Sequence, residues 1–233
     1  MEKIGIERAH AKMVKAVFID FYGTIVHEDG EVIKKISQEI FDTGNVRDKS
    51  EIGTYWWNEF QTAFLSAYGS QFKTQRELEY QSLEKTIQHF NSTADAKKLS
   101  NLMFEHWMSP PIFGEAKQFF AVCPVPIYIV SNIDRNDILK AIEFHDLKPA
   151  GVFTSEDAKS YKPRKELFEF ALIDTKISAE QVIHIGDSFS SDIKGASSVG
   201  IRAVWVNRSG KAVPDGVISI KNLLEVFDVD FFK

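Results

Sequence analysis

Asp20 ends the apolar run Ala16–Ile19 and is followed at once by "FYGT", with Tyr22 two residues on and Thr24 four. Ser131 and Asn132 close "IYIVSN", Lys162 stands before Pro163 in "SEDAKSYKP", and Asp187 and Asp192 sit in "VIHIGDSFSSD". If the fold gathers Asp20, Asp187 and Asp192, the carboxylate cluster is strongly unfavourable unless cations neutralise it. The Lys162 ammonium and a Mg²⁺ ion would balance that charge. Mg²⁺ takes hard oxygen ligands, one or two carboxylates together with waters and phosphate oxygens. A carboxylate in such a site can attack phosphorus and form an aspartyl-phosphate. The lysine and the metal would stabilise charge on the transferring phosphoryl group. The hydroxyls of Thr24 and Ser131 could hold its remaining oxygens, and Asn132 could touch the substrate or hold its own loop.

These residues converge only if particular elements carry them. Apolar runs at Val14–Ile19, Val125–Val130, Gly151–Thr154, Val182–Ile185 and Ala203–Val206 lack strict alternation, as strands buried on both faces of a parallel sheet do. Helical patterns at Asp134–His145, Lys165–Ile173 and Ser191–Val199 separate the later runs. Alternating strands and helices imply an α/β fold with right-handed crossovers, and an open parallel sheet binds ligands beyond the carboxyl ends of its strands. The chemistry-bearing residues stand at those ends.

Between the first two strands lies an interruption without a convincing strand. It reads as helices near Glu31–Asp42, Glu51–Tyr68, Gln75–Phe90 and Thr93–Trp107. In the second, Ile52, Trp56, Phe60, Ala63, Phe64 and Ala67 form one stripe at helical spacing. This predicts a small all-helical domain over 28–109 with its own core, inserted into a core made of 1–27 and 110–233. The sequence "SPP" at 109–111 is the return hinge.

A formal net charge of −5 with no long basic run argues against nucleic acid or an anionic membrane as partner. One cysteine, Cys123, excludes an intrachain disulfide and fits a reducing compartment; its run "FFAVCPVPIYIV" predicts a buried small hydrophobe. That run is too short for a membrane span, and "MEKIGIERAHAKMVKA" lacks the apolar stretch of a signal peptide. The expectation is a cytoplasmic protein acting on a small phosphorylated molecule, with oligomeric state open.

Taken in order, "DFYGT", "IYIVSN", Lys162-Pro163 and "GDSFSSD" resemble the haloacid dehalogenase superfamily across nearly the whole chain. The resemblance implies a Rossmann-like core with a helical cap inserted after the first motif. It implies Asp20 as nucleophile, the Tyr22 backbone carbonyl and Asp187 as Mg²⁺ ligands, Ser131 as a phosphoryl-oxygen ligand and Lys162 as the group orienting nucleophile and substrate. Asp192 would support the metal or Lys162. Tyr22 departs from the family's phosphatases, which carry an acid–base aspartate there. The family's metal-independent dehalogenases resemble this chain in having Tyr at that place, since a halide leaves without a proton. They lack the paired acidic residues of the last motif and use a cap arginine, for which only Arg47 and Arg76 are on offer. A Mg²⁺-dependent phosphatase is the expectation, with a 2-haloacid dehalogenase and a non-catalytic phosphate-binding protein as alternatives. Replacement proton donors are few: His27 reads as a hinge-surface residue and His184 as a core or supporting one. Tyr55 and Trp57 lie off the stripe of their helix and could face the crevice, although packing within the cap is the default.

Overall fold

A computed structural model describes residues 13–232; residues 1–12 and 233, and with them most of the stretch read for a signal peptide, lie outside the described residues. The strands are β1 (Ala16–Ile19), β2 (Ile127–Ser131), β3 (Gly151–Thr154), β4 (Val182–Gly186), β5 (Arg202–Val206) and β6 (Ile218–Ile220). They form one parallel sheet in the order β3-β2-β1-β4-β5-β6. This is the α/β parallel sheet expected from the apolar runs, and the Rossmann-like core that the resemblance implies. β1 is central and buried along its whole length, which is why its sequence shows no alternation. The chain switches sides at β1, where β2 runs to one edge and β4 to the other, so a crevice opens beyond the ends of those strands.

Two strand details differ from the sequence reading. β6 was not predicted, because three residues carry almost no periodic signal. The run around Cys123 is a helix, α5 (Ala116–Val122), ended by the Cys123-Pro124 step before β2 begins at Ile127. Cys123 is partly buried against the main apolar cluster, not fully enclosed as expected.

Between β1 and α5 the chain forms α1 (Gly30–Thr43), α2 (Lys49–Ser66), α3 (Gln75–His89) and α4 (Ala96–Met108). Local chemistry sets their starts. Asp48 accepts the Ser50 amide ahead of α2, Asp95 accepts the Lys98 amide ahead of α4, and Thr74 with Glu77 forms a reciprocal capping box on α3. The apolar interior of these helices is continuous with that of the sheet. Ile36, Ile40, Ile52, Trp56, Leu83 and Ile87 join the same apolar cluster as Val17, Ile19 and Ile129 of the sheet. The stripe of α2 divides as well: beyond Trp56, Phe60, Ala63, Phe64 and Ala67 pack with Leu78 and Tyr161. Polar ties run across the same boundary. Asp134 accepts the backbone amides of Gln75 and Arg76 at 2.7 and 2.9 Å, and the Gly69 amide donates to the Lys159 carbonyl at 2.8 Å.

The core is completed by α6 (Arg135–His145), α7 (Ser155–Ala158), α8 (Glu166–Thr175) and α9 (Gly195–Ser197). Where a regular helix over Ser191–Val199 was predicted, a wider π-helical segment covers Phe189–Lys194 and only Gly195–Ser197 is α. That local widening delivers Asp192, as described below. No described helix is long and apolar enough to cross a membrane.

Candidate active site

Asp20 leaves β1 with its amide bound to the Ile185 carbonyl of β4 at 2.9 Å. The chain then turns sharply: the Phe21 carbonyl accepts the amides of both Ile25 and Val26, and Gly23 has φ +83°. A Cβ on Gly23 would stand 2.5 Å from Asp187 Oδ2. Glycine is therefore required twice here, by backbone conformation and by the approach of the carboxylate. Gly186 ends β4 for a related reason, since a Cβ there would lie 2.2 Å from Asp192 Cγ.

Lys162 is buried in the middle of the site. Its Nζ donates to Asp20 Oδ1 at 2.7 Å, to Asp192 Oδ1 at 2.7 Å and to the Val130 carbonyl at 2.8 Å. All three ammonium protons are thereby used. Asn132 holds this lysine from behind: its amide oxygen accepts the Lys162 backbone N–H at 2.7 Å and its amide nitrogen donates to the Lys162 carbonyl at 3.1 Å. The Asn132 side chain thus fixes a loop while also lining the cavity.

Asp192 is held on every side. Besides Lys162 it accepts from His184 Nε2 at 2.9 Å and from the Ser188 amide at 3.0 Å. Burial opposes its charge, but the Lys162 ammonium and the His184 hydrogen bond outweigh that and hold its pKa at about 2. His184 is fully buried, and burial lowers its pKa, so the neutral ring donates from Nε2. His184 is therefore a supporting histidine, as its place inside a strand suggested.

Asp187 differs. Its only side-chain hydrogen bond among the described residues comes from Thr24, whose Oγ1 lies 3.4 Å from Asp187 Oδ1 and 3.2 Å from Asp20 Oδ2. Thr24 was expected to bind phosphoryl oxygen; fully buried, its hydroxyl is turned to the carboxylates. Burial, then the charges of Asp20 and Asp192, push the Asp187 pKa up to about 8. Burial likewise raises Asp20 to about 6, although Lys162 pulls it down. Oxygen atoms of Asp20, Asp187 and Asp192 all lie within 4.8 Å of one another. One ammonium faces these three carboxylates, so the cluster carries negative charge that nothing among the described residues offsets.

These shifts have a consequence for stability. Carboxyls at Asp20 and Asp187, and Glu79 on α3, which burial raises to about 8, keep protons in the fold that the unfolded chain gives up above about pH 4. Metal-free protein should therefore lose stability as pH rises from about 5 to about 8, whereas Asp192 contributes only to the loss at strongly acidic pH. Mg²⁺ should raise the melting temperature more at pH 8 than at pH 5, because it binds the ionised carboxylates. Scanning calorimetry in chelator and in Mg²⁺ measures both slopes. A melting temperature in chelator that climbs from pH 5 to pH 8 would contradict this account.

Over the cluster lies a cavity of about 710 Å³ lined by Asp20, Ser131, Lys162, Asp187, Ser188 and Asp192 at its floor. Its other wall comes from the helical insertion and the turn before it, including Glu28, Asp29, Trp57, Phe60, Phe64 and Trp107. The sequence placed Phe60 and Phe64 on a packing stripe; both also face this space. Trp57 lines the cavity, whereas Tyr55 stacks on His89 with ring centroids 3.9 Å apart. Tyr22 also lines it, but its phenol donates to the Trp107 carbonyl, and burial pushes its pKa well above the ordinary value. His27 stacks on Phe113 outside the cavity. Arg76 forms a two-pronged pair with Asp137 of α6, and neither Arg76 nor Arg47 is part of the lining.

Asp29 escaped notice in the sequence. It stands in the lining where Trp107 Nε1 donates to it at 3.1 Å and His106 Nε2 lies 3.5 Å away, and burial raises its pKa. An acidic residue just before a helix, here among Glu28 and Glu31, resembles any capping residue, so nothing in its local pattern distinguished it.

Residues 14–200 match the model of the haloacid dehalogenase-like hydrolase family. The HAD-hydrolase YfnB of Bacillus subtilis is 33% identical over 109 residues, 44% of this chain and 46% of that protein. The phosphoserine phosphatase of Thermus thermophilus is 28% identical over 144 residues, 57% of this chain and 56% of that protein. The matched region spans about half the length of these curated relatives. In three dimensions, magnesium-bound YfnB superposes with a TM-score of 0.74 at 21% identity, covering 93% of this chain and 98% of the other. The L-2-haloacid dehalogenase of Xanthobacter autotrophicus gives 0.74 at 16% identity, covering 92% and 97%. At such identities the likeness is one of fold, and the relatives include both phosphatases and dehalogenases. With the family match covering most of its length, the chain belongs to the haloacid dehalogenase-like hydrolases.

Proposed function

We propose that this hydrolase is a Mg²⁺-dependent phosphatase acting on a small phosphomonoester. One observation carries the reading: Asp20, Asp187 and Asp192 gather within 4.8 Å of one another, a single ammonium pairs Asp20 and Asp192, and Asp187 has no cationic partner among the described residues. Hard oxygen donors carrying surplus negative charge suit Mg²⁺. Asp20, Asp187 and the Tyr22 backbone carbonyl would hold it, with Asp192 supporting from behind, since both its oxygens already accept hydrogen bonds. When bound, the metal supplies Lewis-acid stabilisation of phosphoryl oxygens and neutralises the carboxylates.

In the reaction an Asp20 oxygen attacks phosphorus, the bond from phosphorus to the leaving oxygen breaks, and that oxygen takes up a proton. Water then attacks the aspartyl-phosphate, releasing inorganic phosphate and restoring the Asp20 carboxylate. Lys162 aims the nucleophile and keeps it ionised. Ser131 at the end of β2 contributes a hydroxyl to the phosphoryl pocket. Tyr22 is a poor proton source, because its phenol is committed to Trp107. Asp29 lines the same cavity with a raised pKa and is the group we assign to that proton transfer. Residues 28–109 act in this scheme as a cap that shields the cavity from water. We place the reaction in the cytoplasm.

Tyr22 favours a second reading, a metal-independent dehalogenase. The absence of Arg47 and Arg76 from the cavity lining weighs against it, because a haloacid's carboxylate would have no free cation there among the described residues. The test is hydrolysis of p-nitrophenyl phosphate. Turnover with Mg²⁺ that stops in chelator is expected. Halide release from 2-chloropropionate that ignores chelator would replace the phosphatase with the dehalogenase.

A further inference from the structure

We propose that the phosphomonoester this cavity takes has a flat or apolar organic group without negative charge, because an aromatic wall from α2 faces a floor where the one cation among the described residues is already spent. The inference rests on the phosphatase reading and narrows its substrate class.

The wall is the first observation. Trp57 is 57% exposed and yet lines the cavity. A large exposed aromatic in a water-soluble fold is informative, since burying it elsewhere would have been favourable. It does not stand alone. The Trp57 and Phe60 rings lie nearly parallel with centroids 6.1 Å apart, and Phe60 and Phe64 follow at 5.7 Å. Phe64 is backed in turn by Tyr161 at 4.3 Å, which anchors the row to the core. Ile33 of α1, 37% exposed, extends the same apolar surface across the cavity. An aromatic or aliphatic group placed there would bury against rings that are already fixed, so little ordering is needed on binding.

Charge is the second. The cationic side chain in the lining is Lys162, and its three protons are taken by Asp20, Asp192 and Val130. Arg76 is paired with Asp137. The lining also carries the acidic side chains of Glu28 and Asp29. A substrate carboxylate or second phosphate would meet the Glu28 carboxylate, the Asp29 carboxyl that serves as proton donor, and no free cation among the described residues. For polar recognition the helical side of the lining offers the neutral amides of Gln61 and Gln75.

The experiment compares three alkyl phosphates with Mg²⁺ and the full chain: 2-phenylethyl phosphate, ethyl phosphate and 2-phosphoglycolate. All are poor leaving groups, so the comparison reports binding of the organic part. The expected order of kcat/KM is phenylethyl above ethyl above phosphoglycolate, with roughly tenfold between the first two. Trp57→Ala should bring the phenylethyl-to-ethyl ratio down toward one, and Gln61→Lys should raise phosphoglycolate relative to ethyl phosphate. Both positions are exposed, so the variants should fold, which circular dichroism checks. Equal rates for phenylethyl and ethyl phosphate, preference for phosphoglycolate, or a ratio untouched by Trp57→Ala would overturn the inference while leaving the phosphatase intact. No turnover of any of the three, nor of p-nitrophenyl phosphate, would remove the phosphatase reading itself and this inference with it.

Discussion

Asp20→Asn should lower turnover of an aryl phosphate by at least about a thousandfold, since loss of a nucleophile removes the covalent route altogether. The amide keeps the shape of the carboxylate and can still accept a hydrogen bond from Lys162 Nζ, which donates to Asp20 at 2.7 Å. What it loses is the anionic lone pair that attacks phosphorus and the charge that draws in the metal. The same change should not cost stability. Burial raises the Asp20 pKa to about 6, so above that pH the fold carries an ionised carboxylate at a disadvantage that the neutral amide removes. In chelator at pH 8 the variant should therefore melt no lower than the parent. Single-turnover kinetics and a thermal melt test the two halves separately. Retention of more than about a tenth of the parent rate would exclude Asp20 as the nucleophile in a covalent mechanism. A large drop in melting temperature would show instead that the activity loss is structural.

Lys162→Met should be among the most destabilising single changes in the chain. Its side chain is 2% exposed and its ammonium bridges Asp20 and Asp192, whose side chains are 10% and 1% exposed. Methionine fills a similar volume but strands Asp192, whose depressed pKa depends on this lysine, together with Asp20 and Asp187. Breaking a buried ion pair by removing one partner costs about 3–5 kcal/mol. For a chain of this size that corresponds to roughly 10 °C in melting temperature. Adding Asp192→Asn to Lys162→Met should restore part of the loss, because the charge left behind is then removed as well. Mg²⁺ should stabilise Lys162→Met by more than it stabilises the parent. Urea unfolding of the two single variants and the double variant gives the coupling directly. A Lys162→Met protein as stable as the parent would mean that the carboxylates are protonated in the fold and that the ion-pair network is not what holds this site.

The strand ends were legible because a parallel sheet buried on both faces leaves a one-dimensional trace. Apolar runs such as Ala16–Ile19 and Val182–Ile185 stop at a polar residue, and that residue must stand at the crevice. Asp20, Ser131 and Asp187 were found in that way. The helices of the insertion were equally visible from period and capping signals, Thr74 with Glu77 among them. β6 was not, being short, and α5 was hidden because its residues continue without a break into the apolar run of β2.

The sequence by itself determined the sheet, the presence of a helical insertion, and the set of acids, lysine and hydroxyls that could act together, because those follow from periodicity and from residue type at element ends. Only the tertiary structure decided how each of those groups is used. Asn132 braces the lysine loop, Thr24 turns to the carboxylates, and the Tyr22 phenol binds the Trp107 carbonyl from a helix 85 positions away. It also brought Asp29 and the ring of Trp57 to one cavity. The reason is geometric: a side chain's partners across the fold are set by how helices pack on the sheet, and no local pattern of residues encodes which face of α2 will cover the end of β1. Tyr22 looked in the sequence like a substituted acid. In the structure it is a strut between the first strand's turn and α4, which leaves the proton to be sought on Asp29.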